Sequence, residues 1–292
     1  MLRIILGIVF FYVLMYNLQW KKGNKMKKKI ILSIIIILVI IFAVFIIYTL
    51  NNPKIAVLCY HNIGTVEEKN NFPQEQEWTI DVENFEEQLK MLKKHNYKTL
   101  TLEEFYNWKQ GKIKLPYKSV LITFDDGFLS NYQHAFPLLK KYNMNATVFL
   151  IGNYMTEKNE KWSGNLKEYI SKETLEKAKE EYPNIDFASH SYALHEPNIL
   201  QTKSYEELIQ DEKDFREKIL KTDIYCYPFG AYNNDMINSL KQSNYKMAFI
   251  FGPTNKEYRK SSKKDDDYLI PRLNVSYGMN PTKFLVRLLL PF

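Results

Sequence analysis

The first fifty residues contain no acidic residue, against seven basic ones: Arg3, Lys21, Lys22, Lys25, Lys27, Lys28 and Lys29. Taking those seven from the chain's 40 lysines and arginines leaves 33, which the 33 aspartates and glutamates of residues 51–292 balance. The body therefore carries no net charge. The overall +7 gives no support for nucleic-acid binding, and no nucleic-acid partner is expected. Cysteine is scarce too. Cys59 and Cys226 are the whole supply, which excludes zinc-type cysteine spacing. Both lie in apolar, strand-like runs and read as buried free thiols rather than a disulfide. No histidine follows His195, and no residue-level repeat is visible.

The excess positive charge flanks apolar segments. Ile30 to Leu50 is uncharged and almost wholly aliphatic, long enough at ~1.5 Å per residue to cross a ~30 Å hydrocarbon layer. No small-residue cleavage site follows in Phe45-Ile46-Ile47-Tyr48-Thr49, so an uncleaved signal-anchor is expected. The lysines before it should stay in the cytoplasm, which puts residues 51–292 outside the cell membrane. A second apolar run, Ile4 to Leu18, leaves two readings open. Residues 4–19 form an extra span of a two-pass hairpin, or the natural start is Met26 and residues 1–25 are an extension; Met26-Lys27-Lys28-Lys29 favours the latter. Residues 1–50 are thus an anchor region and residues 51–292 a single domain. At the other end, Phe284 to Leu290 is expected to pack on the domain rather than touch the membrane.

The body alternates strand-like and helical runs. Strands are expected at Lys54–His61, Tyr97–Leu100, Val120–Phe124, Ala146–Ile151, Ile185–Ser189, Ile224–Tyr227, Met247–Phe251 and Leu269–Val275. Helices are expected after Asp81 (with Phe85, Leu89 and Leu92 on one face) and over Leu102–Gln110, Asn131–Tyr142, Lys172–Tyr182, Tyr205–Leu220 and Asp235–Gln242. Residues 62–80 read as polar and irregular. Strands apolar on both faces and separated by helices predict a parallel sheet covered by helices. Seven or eight such units suit a closed α/β barrel, whose chemistry sits where the strands end.

Polar clusters stand at those ends. Thr123-Phe124-Asp125-Asp126-Gly127 closes one apolar run with two adjacent carboxylates. Neighbouring side chains of a strand point to opposite faces, so one acid can hold a metal while the other takes a proton. His190 and His195, five apart in Ser189-His190-Ser191-Tyr192-Ala193-Leu194-His195, suit a loop curling round an ion rather than one helical face. Two imidazoles and a carboxylate, Asp126, form a familiar donor set for a catalytic divalent cation with one position open. His95 and His134, in helical stretches, read as structural. Trp78, Phe128, Tyr192 and Trp162 lie in loops near the motifs and read as packing before sugar platforms.

Together with Tyr227-Pro228-Phe229-Gly230, these motifs resemble the polysaccharide deacetylases of the NodB homology type, over about residues 54–278. The resemblance implies a distorted (β/α)7–8 barrel that removes acetyl groups from a sugar polymer with a divalent metal, Zn²⁺ foremost, with Co²⁺, Ni²⁺ or Fe²⁺ as alternatives. It implies Asp125 as general base, Asp126, His190 and His195 as metal ligands, and the Tyr227-Pro228-Phe229 turn as substrate and oxyanion contact through the N–H near Phe229. Two positions depart from the family pattern. Cys226 stands where many members carry a base-orienting arginine, and Arg272 is the candidate replacement. The acid histidine near the C-terminus is missing, and His61, after Tyr60, is the candidate substitute. That rearrangement resembles the intercellular-adhesion branch, which acts on the biofilm polymer poly-β-1,6-N-acetylglucosamine. The expected partner is then an extracellular N-acetylated polysaccharide, met by an anchored monomer. Peptidoglycan N-acetylglucosamine and a non-catalytic polysaccharide-binding surface protein are the alternatives.

Overall fold

A computed structural model describes residues 25–251 and 259–289, so the apolar run from Ile4 to Leu18 and the last residue of the Phe284–Leu290 stretch lie outside the described residues. The chain divides into two compact units, 1–52 and 53–292. The described part of the first is helix α1 (Lys25–Asn51). Its stretch Ile31–Thr49 is the one helix among the described residues long and apolar enough to span a bilayer. Ile37, Leu38, Ile40, Ile41, Val44 and Phe45 on it are exposed, as side chains meant for lipid would be.

The second unit is a curled parallel sheet wrapped in helices. Its path runs β10 (Leu273–Asn274), β1 (Ala56–Tyr60), β5 (Ser119–Phe124), β6 (Ala146–Leu150), β7 (Ile185–Ser189), β8 (Ile224–Cys226), β9 (Met247–Phe249), with β4 (Lys98–Thr99) pairing the start of β5. Between β9 and β1 the chain nearly closes a barrel. Ile250 N–H donates to Ile270 O and Ile270 N–H to Ala248 O, each at 3.0 Å, and Val275 N–H donates to Cys59 O at 2.8 Å. The strand expected at Leu269–Val275 is thus only two residues of regular ladder, because the segment serves two edges in turn.

Alternation along β5 shows how the sheet is filled. Val120, Ile122 and Phe124 join the outer core under the helices, while Leu121 joins an inner core with Val57, Phe149, Ala188, Cys226, Phe249 and Ile270. Leu102, Phe105 and Trp108 of the helix Leu102–Lys109 complete that inner core. Continuing the alternation, Thr123 and Asp125 fall on the inner face. The register β1–β5 pairs Tyr60 with Phe124, so His61 and Asp125 leave adjacent strands side by side.

Residues 62–80 differ from the irregular loop expected. Strand β2 (Asn62–Gly64) pairs β3 (Thr79–Asp81) in a short parallel ladder, around a helix Val66–Asn71 with a Thr65/Glu68 capping box and a 3-10 turn Pro73–Trp78. Asp81 does precede the helix Val82–Lys94, but its side chain caps nothing; it pairs with the Lys69 ammonium at 2.6 Å. Two short strands hold too few residues to show a period, which is why the pattern was illegible. His134 bonds Glu68 (3.0 Å), which also accepts from Trp162 Nε1 (3.1 Å), so both residues serve this substructure. The helix Pro281–Leu289 buries Phe284 and Leu288 in the outer core.

Candidate active site

The C-terminal ends of the strands surround a cavity of about 240 Å³, lined by Asp125, Asp126, His61, His190, His195 and Phe229, with Glu75, Trp78, Phe128, Tyr169 and Phe251 completing the wall. Asp125 follows β5 directly, its N–H on Tyr60 O (2.9 Å), and His190 follows β7, its N–H on Leu150 O (2.8 Å). Strand ends thus fix two of the groups through ladder bonds.

Asp126 Oδ1 lies 3.4 Å from His190 Nε2 and 3.0 Å from His195 Nε2. His190 Nδ1 sits 2.8 Å from Cys226 O, which accepts only from a protonated nitrogen, so in the neutral ring Nε2 is the nitrogen free to ligate. Three such donors converging with one side open fit a divalent cation of the catalytic kind. Two further groups, Cys59–His61–Asp125 and Asp125–His190–Cys226, also bring donor atoms within 4.8 Å. Both depend on Asp125, whose oxygens each accept from Arg272: Nη1 to Oδ1 at 2.6 Å and Nη2 to Oδ2 at 2.7 Å. A cation there would face a guanidinium, so Asp126, His190 and His195 are the set able to hold one.

Asp125 is buried, and burial alone would raise its pKa. Arg272, and with it the neighbouring His190 and His61, outweigh that and hold the carboxyl at about 2. Arg272 is itself buried, with Nε on Ile250 O (3.0 Å). The two thiols belong to the same shell: Cys59 Sγ lies 3.4 Å and Cys226 Sγ 3.8 Å from Asp125 oxygens, and both cysteines are free. Their spacing in sequence carried no hint of this, because only the barrel brings β1 and β8 to one carboxylate.

His61 packs its ring against Trp78 (centroids 4.8 Å apart) and Phe251 (5.7 Å). An imidazole nitrogen lies within 4.8 Å of an Asp125 oxygen. Burial depresses its pKa, outweighing the upward pull of Asp126 and Asp125.

In the Tyr227–Gly230 turn the three residues part company. Tyr227 is buried in the core around β8 and β9, with its N–H on Phe249 O (3.0 Å), and Pro228 is buried and has no N–H. Their side chains do not line the cavity, so the contact that the resemblance implies for this turn falls to the backbone N–H near Phe229. The regular ladder of β8 ends at Cys226, one residue short of the strand expected, and Tyr227 shares the core side of Tyr225, two residues before it. Phe229, 48% exposed, does line it, its ring 4.6 Å from that of His195. Phe229 adopts φ 56, and its N–H finds no acceptor among the described residues. Gly230 makes this turn possible: a Cβ there would stand 1.2 Å from Phe251 O.

Strain concentrates here. Among the described residues, the non-glycine positive-φ positions other than asparagines are Asp126 (69), Ser191 (74) and Phe229 (56). Asparagine and aspartate adopt this region more readily than other side chains, whereas Ser191 and Phe229 are held there by the surrounding structure, as is common at functional sites. Of the loop aromatics, Trp78 and Phe128 line the cavity, while Tyr192 and Trp162 do not. Glu75, Tyr169 and Phe251 were not legible as site residues, since no motif surrounds them.

The sequence profile of the family described as polysaccharide deacetylase matches residues 112–248. That stretch contains Asp125, Asp126, His190, His195 and Phe229 but neither His61 nor Arg272. A poly-β-1,6-N-acetyl-D-glucosamine N-deacetylase of Staphylococcus aureus is 32% identical over 238 residues, covering 75% of this chain and 78% of that protein. Among solved structures, the Streptococcus pyogenes deacetylase PplD in complex with acetate superposes with TM-score 0.68 at 21% identity, over 82% of this chain and all of that one. IcaB from Ammonifex degensii gives 0.63 at 24%, over 81% and 97%. The chain belongs to the polysaccharide deacetylase family, hydrolases acting on a carbon–nitrogen bond.

Proposed function

We propose that the protein is a membrane-anchored, metal-dependent N-deacetylase of an extracellular polymer of N-acetylglucosamine, poly-β-1,6-N-acetylglucosamine foremost. The observation that carries the reading is the division of labour between adjacent carboxylates: Asp126 faces two imidazoles, while Asp125 is locked by Arg272. The Staphylococcus aureus relative supports the choice of polymer. The exposed apolar helix Ile31–Thr49 supports the anchor.

A divalent cation held by Asp126, His190 and His195 would supply Lewis-acid polarisation of the acetamide carbonyl and of the attacking water. Asp125 accepts the proton that the water loses on attack. It is ionised at neutral pH, and Arg272 fixes its orientation. The unpaired Phe229 N–H donates to the oxygen on which negative charge develops, a contribution of ~3 kcal/mol in comparable sites. His61, protonated, then delivers a proton to the leaving nitrogen, which cannot depart as an amide anion. The aromatic wall of Trp78, Phe128, Phe229 and Phe251 keeps bulk water away from these transfers.

The test is acetate release by the detergent-solubilised chain from poly-β-1,6-N-acetylglucosamine oligomers and from peptidoglycan, with and without chelator. Chelator-sensitive release from the first supports the reading. Release from peptidoglycan alone keeps the chemistry and overturns the substrate. Glycan binding with no release from either would establish a binding protein instead.

A further inference from the structure

The loop from His190 to His195 contains the least regular backbone of the site. His190 is fixed by the end of β7, but His195 lies beyond Ser191 (φ 74), Tyr192, Ala193 and Leu194, none of them in a helix or strand. Buried amides in such a loop need acceptors from elsewhere. Leu194 N–H finds Ser191 Oγ (3.1 Å) and Ser191 N–H finds Ser189 Oγ (3.2 Å), both local. Tyr192 and Ala193 depend on one distant side chain. Asp211 Oδ2 accepts from Tyr192 N–H at 2.9 Å, and Asp211 Oδ1 from Ala193 N–H at 2.6 Å.

Asp211 belongs to the helix Tyr205–Lys218, within the charged stretch Gln210-Asp211-Glu212-Lys213-Asp214. A charge run of this kind is ordinarily a solvated face. Asp211 is only 6% exposed, and no cation is paired with it at salt-bridge distance among the described residues. Both its oxygens are spent on consecutive amides between the two histidines.

We propose that Asp211 is a positioning residue for the metal site: its carboxylate clamps the Tyr192 and Ala193 amides and so sets His195 against His190 and Asp126. This rests on the reading that those three residues hold the cation. Without the clamp, the Tyr192 and Ala193 N–H groups lose their acceptor and the loop relaxes toward water, carrying the His195 imidazole with it. Outer partners of metal ligands are typically worth 10–100-fold in metal affinity. Asparagine cannot substitute fully, since it offers one acceptor oxygen and turns an NH₂ toward the other amide.

The experiment is titration of Co²⁺ into the metal-stripped full chain in detergent, reading affinity and the visible absorption of the bound ion, with apo-protein folding followed by circular dichroism. Asp211→Ala and Asp211→Asn are compared with Glu212→Ala. Glu212 is next on the helix but accepts from Ser239 Oγ (2.7 Å) and does not bond the loop. Asp211→Asn keeps the side chain's size, so the test survives a misfolded alanine variant. The proposal predicts folded apo-proteins, 10–100-fold weaker Co²⁺ binding and an altered spectrum for the Asp211 variants, and wild-type values for Glu212→Ala. Wild-type affinity and spectrum in Asp211→Asn would overturn it, as would an equal loss in Glu212→Ala, which would indicate general loosening of the helix. A wild-type chain that binds no Co²⁺ would instead overturn the ligand assignment beneath it.

Discussion

Arg272 and Asp125, 147 residues apart in sequence, meet in a two-bond fork with both side chains buried. The arginine that many family members place two residues before the proline of the Tyr227-Pro228 turn is here Cys226, whose thiol touches the same carboxylate. The guanidinium thus reaches Asp125 from the residue before β10 rather than from β8.

This relationship predicts the behaviour of Arg272→Lys. Lysine keeps the charge but cannot form the planar fork. The turnover number should fall ~10- to 100-fold through misorientation of Asp125, since small displacements of a catalytic group have effects of that size. Metal affinity should stay within about twofold of wild type, because Arg272 does not bond Asp126. Steady-state kinetics beside a metal titration checks both halves.

His61 predicts a pH dependence. Its pKa is lowered from 6.5, chiefly by burial, and the proposed acid is the protonated form. That form is lost as pH rises through a value below 6.5, so kcat/KM should decline on that side. Asp125, at about 2, stays ionised throughout the working range. In His61→Gln the limb should vanish and the rate fall by ~10²–10⁴, the usual scale of acid catalysis. A profile unchanged in that variant would assign the acid elsewhere.

Glycines at positive φ should divide by their surroundings. Gly111→Ala meets nothing within 4 Å and carries only the left-handed penalty, ~1–2 kcal/mol. Gly230→Ala adds a Cβ 1.2 Å from Phe251 O, which the backbone must move to relieve. Its thermal midpoint should fall well beyond that of Gly111→Ala, and acetate release should be lost with the Phe229 turn. Calorimetry on the two variants decides the matter.

Stability should depend on pH through Glu212. Burial pushes its pKa from 4.5 to about 7, so the folded state holds the proton more tightly than the unfolded chain. Stability from this group is fullest below 4.5 and is lost as pH rises toward 7, by at most ~3 kcal/mol. Glu212→Gln should therefore raise the thermal midpoint relative to wild type at pH 8 and leave the difference near zero or reversed at pH 4.5.

What was legible in the sequence were groups whose neighbours along the chain carried them. Asp125, Asp126, His190 and His195 close apolar runs, and the strand alternation that exposes them also predicts the barrel. His61 and Arg272 were found only as replacements for residues missing from the family pattern; their proximity to Asp125 depends on register across β1, β5 and β10. Asp211 stands in a charged helical stretch, and helical spacing says which residues share a face but not that a loop will bring its amides to one of them.

The proposed function stands on Asp125 moving the proton while Asp126 holds the metal. Its most direct test is bound-metal stoichiometry and acetate release measured together in Asp125→Asn and Asp126→Asn. Asp125→Asn should keep one metal per chain and lose turnover, while Asp126→Asn should lose the metal and turnover alike. Substantial acetate release by Asp125→Asn, or full metal retention by Asp126→Asn, would contradict it.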